Sequence, residues 1–341
     1  MTTTDKLSFL LVQLALALAF CVVVLGSFTR LKDAGLGCPD WPGCYGYVLW
    51  PQTSEQVVAA EQAFPDAPFE HEKAWPEVIH RYFAGSLGFL IIIVNALAYK
   101  HRNERGQPIR LPLLLLALVI AQGLFGMWTV TLKLWPQIVT LHLLGGFSTL
   151  SLLWLLRLRL LTRQWPAPAV SLHHWRKLKL SSLIAMVLVI CQITLGGWTS
   201  TNYAALACPD LPTCQGSWWP TMDFGSGFNF AQEIGPNYLG GQLDGSARVA
   251  IHMTHRIGAI LVALYLGFLI SRLYRYAGGP QMRSMANVLL GLLVLQIGLG
   301  LSNVIWSLPL AVAVAHNAGG ALLLMALITL NYRLHKATTT W

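Results

Sequence analysis

Eight apolar runs, each about as long as a helix that crosses a bilayer, set the strongest limit on what this chain can fold into. They begin near Ser8, Val78, Leu111, Pro136, Leu180, Val249, Ala286 and Pro309. Only 11% of the 341 residues are charged, whereas ordinary soluble domains carry about 25%. The sequence therefore predicts an all-α integral membrane protein with eight transmembrane helices, and it excludes a soluble enzyme of ordinary composition.

The basic residues indicate how the helices are oriented. Of the 23 Lys and Arg, 16 fall at the two termini and in the connections 2–3, 4–5 and 6–7. Because positive residues stay on the cytoplasmic side, we expect a multi-pass protein of the inner (plasma) membrane with both termini cytoplasmic. The two long loops, roughly 29–75 and 200–248, are then extracytoplasmic. The formal charge of +9 reflects this topology, so no nucleic-acid partner is expected.

An internal repeat organises the chain. The segment Cys21–Trp50 matches Cys191–Trp219 at an offset of 170, and Gln122–Gly146 matches Gln296–Gly320 at an offset of 174. Between them, residues 77–81 match residues 252–256 at an offset of 175. Three matched blocks in the same order predict two tandem, repeat-related four-helix bundles. We place the first half at 1–165 and the second at 166–341. Each half contains an even number of helices, so we expect an axis along the membrane normal to relate them.

Four histidines inside apolar helices follow this repeat. His80 corresponds to His255, and His142 corresponds to His316. Ionisable residues within membrane segments are costly and usually functional, and two inward histidines on facing helices can hold a haem iron by both axial positions. The pattern favours a haem in each half. Two alternatives are hydrogen bonds to neighbouring helices and a zinc site, for which the sequence offers too few ligands. The glycines near these histidines suit either a flat macrocycle or close helix contacts.

The residues around the histidines differ between the halves at one informative position. Glu77, one turn before His80, is replaced by His252 in the second half. Glu77 follows Pro76, and proline is a natural first helical residue. Glu77 is a candidate for proton transfer beside a bound ring. The alternative is that its negative charge only interacts favourably with the helix dipole. For His252 a hydrogen-bonded polar role is favoured over that of a ligand.

Two arginines follow the second-helix histidines directly. Arg81 and Arg256 are candidates for pairing with haem propionates, with snorkelling to the membrane boundary as the alternative.

The cysteines suggest an oxidising compartment. The pairs Cys38–Cys44 and Cys208–Cys214 lie in the two outer loops, where local disulfides can form. A structural role is favoured over redox cycling. Cys21 and Cys191, inside apolar runs, are expected to be packing thiols.

Taken together, these motifs resemble the haem A synthase family of membrane enzymes. The resemblance covers essentially the whole chain. It includes E-x-x-H-R at 77–81, G-x-x-T-R at 26–30, HLLGG at 142–146, H-R at 255–256, HNAGG at 316–320 and the paired loop cysteines.

The resemblance implies specific roles for these residues. His255 and His316 would hold a resident haem b, His80 and His142 would flank the substrate haem O, and Glu77 would be needed for turnover. The implied reaction oxidises a ring methyl of haem O to a formyl group, which gives haem A for cytochrome oxidase. The implied partners are the lipid bilayer, haem O synthase and oxidase-assembly factors, while the electron donor and homo-oligomerisation stay open. A di-haem b electron-transfer cytochrome and a haem-handling transporter are the alternative functions.

Overall fold

The fold is a bundle of long apolar helices. The computed structural model describes residues 3–104, 108–161, 172–276 and 279–336. Within them the regular secondary structure is helical, apart from two isolated β-bridges. Eight of the ten helices are long and apolar enough to cross a membrane, which confirms the predicted number. The bounds are α1 Thr3–Leu31, α2 Ser54–Ala63, α3 His71–Lys100, α4 Arg110–Thr131, α5 Pro136–Leu160, α6 Leu172–Thr201, α7 Phe224–Gly227, α8 Gly245–Tyr276, α9 Pro280–Ile305 and α10 Leu310–Lys336.

Two tight turns join helix pairs in the same way. Lys133 and Leu134, between α4 and α5, have φ angles of 49° and 60°, and Ser307 and Leu308, between α9 and α10, have 52° and 63°. Left-handed residues end a helix sharply. A proline follows in each turn, immediately before or at the start of the next helix, where its missing N–H costs nothing. Both turns therefore return the chain antiparallel at the same end of the molecule.

The helices pack in the same order on either side of residue 165. In the first half α1 packs on α3 and α5, α3 on α4, and α4 on α5; in the second, α6 packs on α8 and α10, α8 on α9, and α9 on α10. The sets meet through α1 on α10, α5 on α6 and α5 on α10. The boundary at 165/166 lies outside the described residues, and the division into two domains stays a prediction.

Two polar contacts join residues that the repeat makes equivalent. The Arg30 guanidinium donates to the Ser200 carbonyl at 2.5 Å, and the Tyr203 hydroxyl donates to an Asp33 carboxylate oxygen at 2.8 Å. In both cases the partners are 170 residues apart, which is the repeat offset at this point of the sequence. Residues close to a twofold axis meet their own equivalents, so these contacts support an axis between α1 and α6.

Two local expectations from the sequence were wrong. Pro76 lies inside α3, which begins at His71, so Glu77 is not in the first turn of that helix. The dipole role proposed for this carboxylate is therefore excluded, since that effect fades beyond the first turn. Cys21 and Cys191 are exposed on the outer surfaces of their helices, because both fall on the faces of α1 and α6 turned away from the bundle.

Candidate functional site

The first histidine pair is assembled from two facing helices. His80 on α3 and His142 on α5 have ring centroids 6.4 Å apart and nearly perpendicular planes, at 88°. Two imidazole nitrogens, each about 2 Å from one metal, place their ring centroids roughly 6 Å apart. The spacing therefore suits two axial ligands of one iron.

The second pair comes from the corresponding helices. His255 on α8 and His316 on α10 are close enough to interact electrostatically. All four rings are only half-buried, whereas the Nδ1 atoms of His142 and His316 are buried without a hydrogen-bond partner. A buried, unpartnered polar atom in a membrane helix is costly, so neither ring has the full set of bonds expected of a purely structural histidine.

Each of the four rings lies against a glycine of a neighbouring helix. A methyl group built on the glycine would lie 3.0 Å from His80, 3.5 Å from His142, 3.3 Å from His255 and 3.3 Å from His316. The glycines are Gly26, Gly126, Gly196 and Gly300, respectively. They are equivalent in pairs across the repeat, so both halves reserve space at the rings in the same way.

These four were not the glycines that the sequence singled out next to the histidines. Gly145, Gly258 and Gly319 instead make room for the side chains of Gln122, Gln192 and Gln296 on adjacent helices. Helix contact is thus their role. Recurrence across the repeat does not separate the two sets, because Gly145 recurs as Gly319 just as Gly126 recurs as Gly300. Only the contacts between helices identify the ring-facing glycines.

A buried carboxylate lies one turn from His80. Glu77 is 5% exposed, and its Oε1 accepts a hydrogen bond from Arg81 at 2.5 Å. Its Oε2 accepts the backbone N–H of Cys38 at 3.1 Å. A buried carboxylate persists when it is paired and hydrogen-bonded. Loop 1, residues 32–70 between α1 and α3, and α3 itself therefore hold this group in place together.

The second half has an imidazole at the same position. His252 is buried, and its Nδ1 accepts the backbone N–H of Cys208 at 3.3 Å, in the same way that Glu77 accepts that of Cys38. Arg256 Nε lies 3.3 Å from His252 Nε2. His252 is therefore a hydrogen-bonded polar residue, and it occupies beside Arg256 the position that Glu77 occupies beside Arg81.

The two arginines hold the outer loops onto the histidine helices. Arg81 donates to the carbonyls of Asp40, Pro42 and Gly43, and Arg256 donates to those of Cys208 and Thr213 at 2.7 and 2.9 Å. Most of their donors are thus engaged within the chain. Pairing with propionates, predicted from sequence, stays a prediction.

Both cysteine pairs form disulfides as predicted, Cys38–Cys44 and Cys208–Cys214. All four cysteines are buried. In each loop the second cysteine also forms an isolated backbone β-bridge with the residue three positions later. These disulfides therefore fix the loops that contact Glu77 and His252.

Polar contacts stabilise the same loops. The Thr213 hydroxyl, and then the backbone N–H groups of Gly216 and Gln215, hold the pKa of Asp210 down at about 2. In loop 1, burial and then the charge of Glu70 raise the pKa of Tyr45 to about 12, and its hydroxyl donates to the Pro68 carbonyl. Asp210 is thus ionised and Tyr45 neutral across the physiological range.

The donor set suits a haem better than a bare metal ion. In the part of the chain that the structure describes, no three His, Cys, Asp or Glu side chains come together as a metal cluster. Two imidazoles brought together in each half can supply both axial ligands of a porphyrin iron, because the macrocycle supplies its other four ligands. The residues present therefore fit a haem in each half.

Comparison with known proteins gives a consistent result. The sequence matches the COX15-CtaA family, described as cytochrome oxidase assembly protein, over residues 9–328. It is 46% identical to a haem A synthase of Shewanella oneidensis over 331 residues, which cover 97% of this chain and 98% of that protein.

More distant relatives align over most of the chain as well. A haem A synthase of Caulobacter vibrioides is 28% identical, covering 94% of both chains. The Arabidopsis thaliana haem A synthase COX15 is 24% identical, covering 94% of this chain and 73% of that protein. The family suggested by the sequence motifs is confirmed: this chain belongs to the COX15-CtaA family of cytochrome oxidase assembly proteins.

Proposed function

We propose that this chain is a membrane oxidoreductase that converts haem O to haem A for cytochrome oxidase. In this proposal the first half binds haem O between His80 and His142, and the second half keeps a resident haem b between His255 and His316. The relatives named haem A synthase support the reaction. The ring spacing of the first pair and the unpartnered Nδ1 atoms support the ligand assignment.

The observation that carries the proposal is the difference between Glu77 and His252. Two permanent haems of identical function need no such difference. A carboxylate fixed one helical turn from an axial ligand can accept or return a proton beside the bound ring, and only the first half has one. We therefore assign the oxidation to the first half.

Each protein group has a separate task there. A bound haem supplies the redox chemistry of its iron. His80 and His142 bind and orient the ring. Glu77 accepts and returns protons at its carboxylate oxygens. Arg81 neutralises the charge of Glu77 and anchors loop 1. The Cys38 N–H keeps one carboxylate oxygen directed toward loop 1.

The orientation in the membrane is part of the same proposal. We place both termini in the cytoplasm, and the disulfide loops outside the inner (plasma) membrane. The distribution of Lys and Arg supports this, and so do the two disulfides, since such bonds persist in oxidising compartments. Haem O synthase and oxidase-assembly factors are the partners proposed for supply and delivery.

Glu77→Gln tests the proposal. The amide keeps an acceptor for the Cys38 N–H but cannot take up a proton as a carboxylate does. We expect haem to remain bound and haem A to be lost, as measured by mass spectrometry of haems extracted from protein purified from cells that make haem O. The matched control is Glu72→Gln on the same helix, an exposed carboxylate paired with Lys32, which should retain activity. Two haem b per chain with no haem A in the unaltered protein would instead indicate an electron-transfer cytochrome.

A further inference from the structure

A glutamine amide lies directly against the Nδ1 side of His255. Gln192, on α6, places its amide nitrogen 3.0 Å from His255 Nδ1 and 2.9 Å from the His255 backbone carbonyl. Its other polar atom, Oε1, is buried and has no hydrogen-bond partner. The carboxamide thus contacts a ligand candidate with one atom and leaves its only acceptor unused.

The first half is built differently at this point. The residue equivalent to Gln192 is Val22, which has no polar side chain, and the His80 ring interacts with the backbone of Val22 instead. The space for the glutamine is also specific to the second half. Gly258, whose missing side chain accommodates Gln192 Oε1, corresponds to Phe83 in the first half. The replacement of valine by Gln192 and of phenylalanine by Gly258 therefore together place one amide beside the His255 ring.

The amide matters because a neutral imidazole has one N–H and one acceptor nitrogen. While Gln192 donates to Nδ1, the ring proton lies on Nε2. An Nε2 that binds iron must give up that proton, so Nδ1 then carries it and needs an acceptor. Rotation of the carboxamide turns Oε1, the unpartnered acceptor, toward Nδ1, and it gives up the bond from the amide nitrogen to the His255 carbonyl.

We propose that Gln192 is a positioning residue for His255, whose carboxamide rotates to accept the Nδ1–H when His255 coordinates the resident haem. This inference rests on the proposed function, specifically on the assignment of His255 as a ligand. A hydrogen bond from Nδ1–H to an acceptor fixes the ring orientation and increases the basicity of the ligand. A more basic ligand favours ferric iron, so Gln192 lowers the reduction potential of the second-half haem.

Two substitutions that shift the potential in opposite directions provide the test. In a His80→Ala background, which confines haem to the second half, Gln192→Leu removes the acceptor at nearly constant volume, and Gln192→Glu strengthens it. We expect the midpoint potential of the haem to rise in the first variant and fall in the second. Spectroelectrochemical titration gives the potentials, and the low-spin ferric signals in electron paramagnetic resonance report the ligand field. Cys191→Ser, at the adjacent exposed position, should change neither.

The outcomes separate this inference from the ligand assignment. If His255→Ala in the same background leaves the haem spectrum unaltered, the assignment of His255 fails. If His255→Ala abolishes the low-spin haem but Gln192→Leu and Gln192→Glu leave the potential unchanged, or shift it in the same direction, the role of Gln192 is refuted. Should Gln192→Glu not accumulate, an unchanged potential and spectrum in Gln192→Leu refutes it alone.

Discussion

Replacing Gly26 by alanine should selectively weaken haem binding in the first half. A methyl group at this position lies 3.0 Å from His80 Nε2, well inside ordinary van der Waals separation. The ring is confined by its helix and by its interaction with Val22, so it can move away only by tilting. The nitrogen that must face iron is therefore the atom most directly affected.

The size of the effect follows from the cost of overpacking. Inserting a methylene into a well-packed site typically costs about 1–3 kcal/mol. Since about 1.4 kcal/mol corresponds to a factor of ten, haem affinity should fall roughly 5- to 150-fold. Helix propensity acts in the opposite direction, because alanine is about 0.8–1.0 kcal/mol better than glycine in a helix interior. This gain offsets only part of the overpacking cost, so the variant should be slightly less stable than the parent as well as bind haem less tightly.

The assay is a titration of haem b into haem-depleted protein, followed by the Soret band. A His255→Ala background restricts binding to the first half. Gly126→Ala is the matched control, because its methyl group would lie 3.5 Å from the nearest atom of His142, an ordinary contact. Equal affinities for the two alanine variants, or an unaltered affinity for Gly26→Ala, would refute the reasoning.

Three further predictions concern the loops and the contact between the halves. Arg30→Ala removes the charged hydrogen bond to Ser200 and should cost about 1.5–3 kcal/mol, seen as a lower melting temperature in detergent; full stability would contradict it. The double change Cys38→Ser and Cys44→Ser should lower the free energy of unfolding by about 2–4 kcal/mol, which a melting curve measures. The second half should retain its haem, which a pyridine haemochrome assay measures. Because the pKa of Asp210 is lowered to about 2 from 3.8, its stabilising effect is present above pH 3.8 and lost as the pH falls through 2. Asp210→Asn should therefore speed phosphine reduction of the loop disulfide at pH 5 but not at pH 1.5, and equal rates at pH 5 would count against this role.

The sequence predicted the helices and the paired histidines because both depend on simple regularities. Apolar length alone determines a membrane span, and the repeat identifies which histidines correspond. The cysteine pairs were equally accessible, because the partners are only six positions apart in the sequence, which leaves few other ways to close each loop.

Contacts between helices were not accessible in the same way. The periodicity of α6 does not reveal that Gln192 faces His255, since the ring comes from a helix that begins 53 residues later in the chain. The engagement of Arg81 with loop carbonyls depends on the path of loop 1, which its disulfide closes. The start of α3 was misjudged because Pro76 resembles a helix start, although a transmembrane helix tolerates an internal proline where nearby groups satisfy the backbone.

The contact between Arg30 and Ser200 limits how the two halves can be arranged. In a dimer of identical four-helix units, Arg30 would face a second Arg30 across the twofold axis, and Asp33 would face a second Asp33. Like charges at that spacing repel, whereas the fused chain places a carbonyl opposite the guanidinium and a phenol opposite the carboxylate. Covalent linkage of the halves thus makes unlike partners available at positions where symmetry would otherwise impose identical ones. An isolated first half, paired with a copy of itself, would lose both contacts.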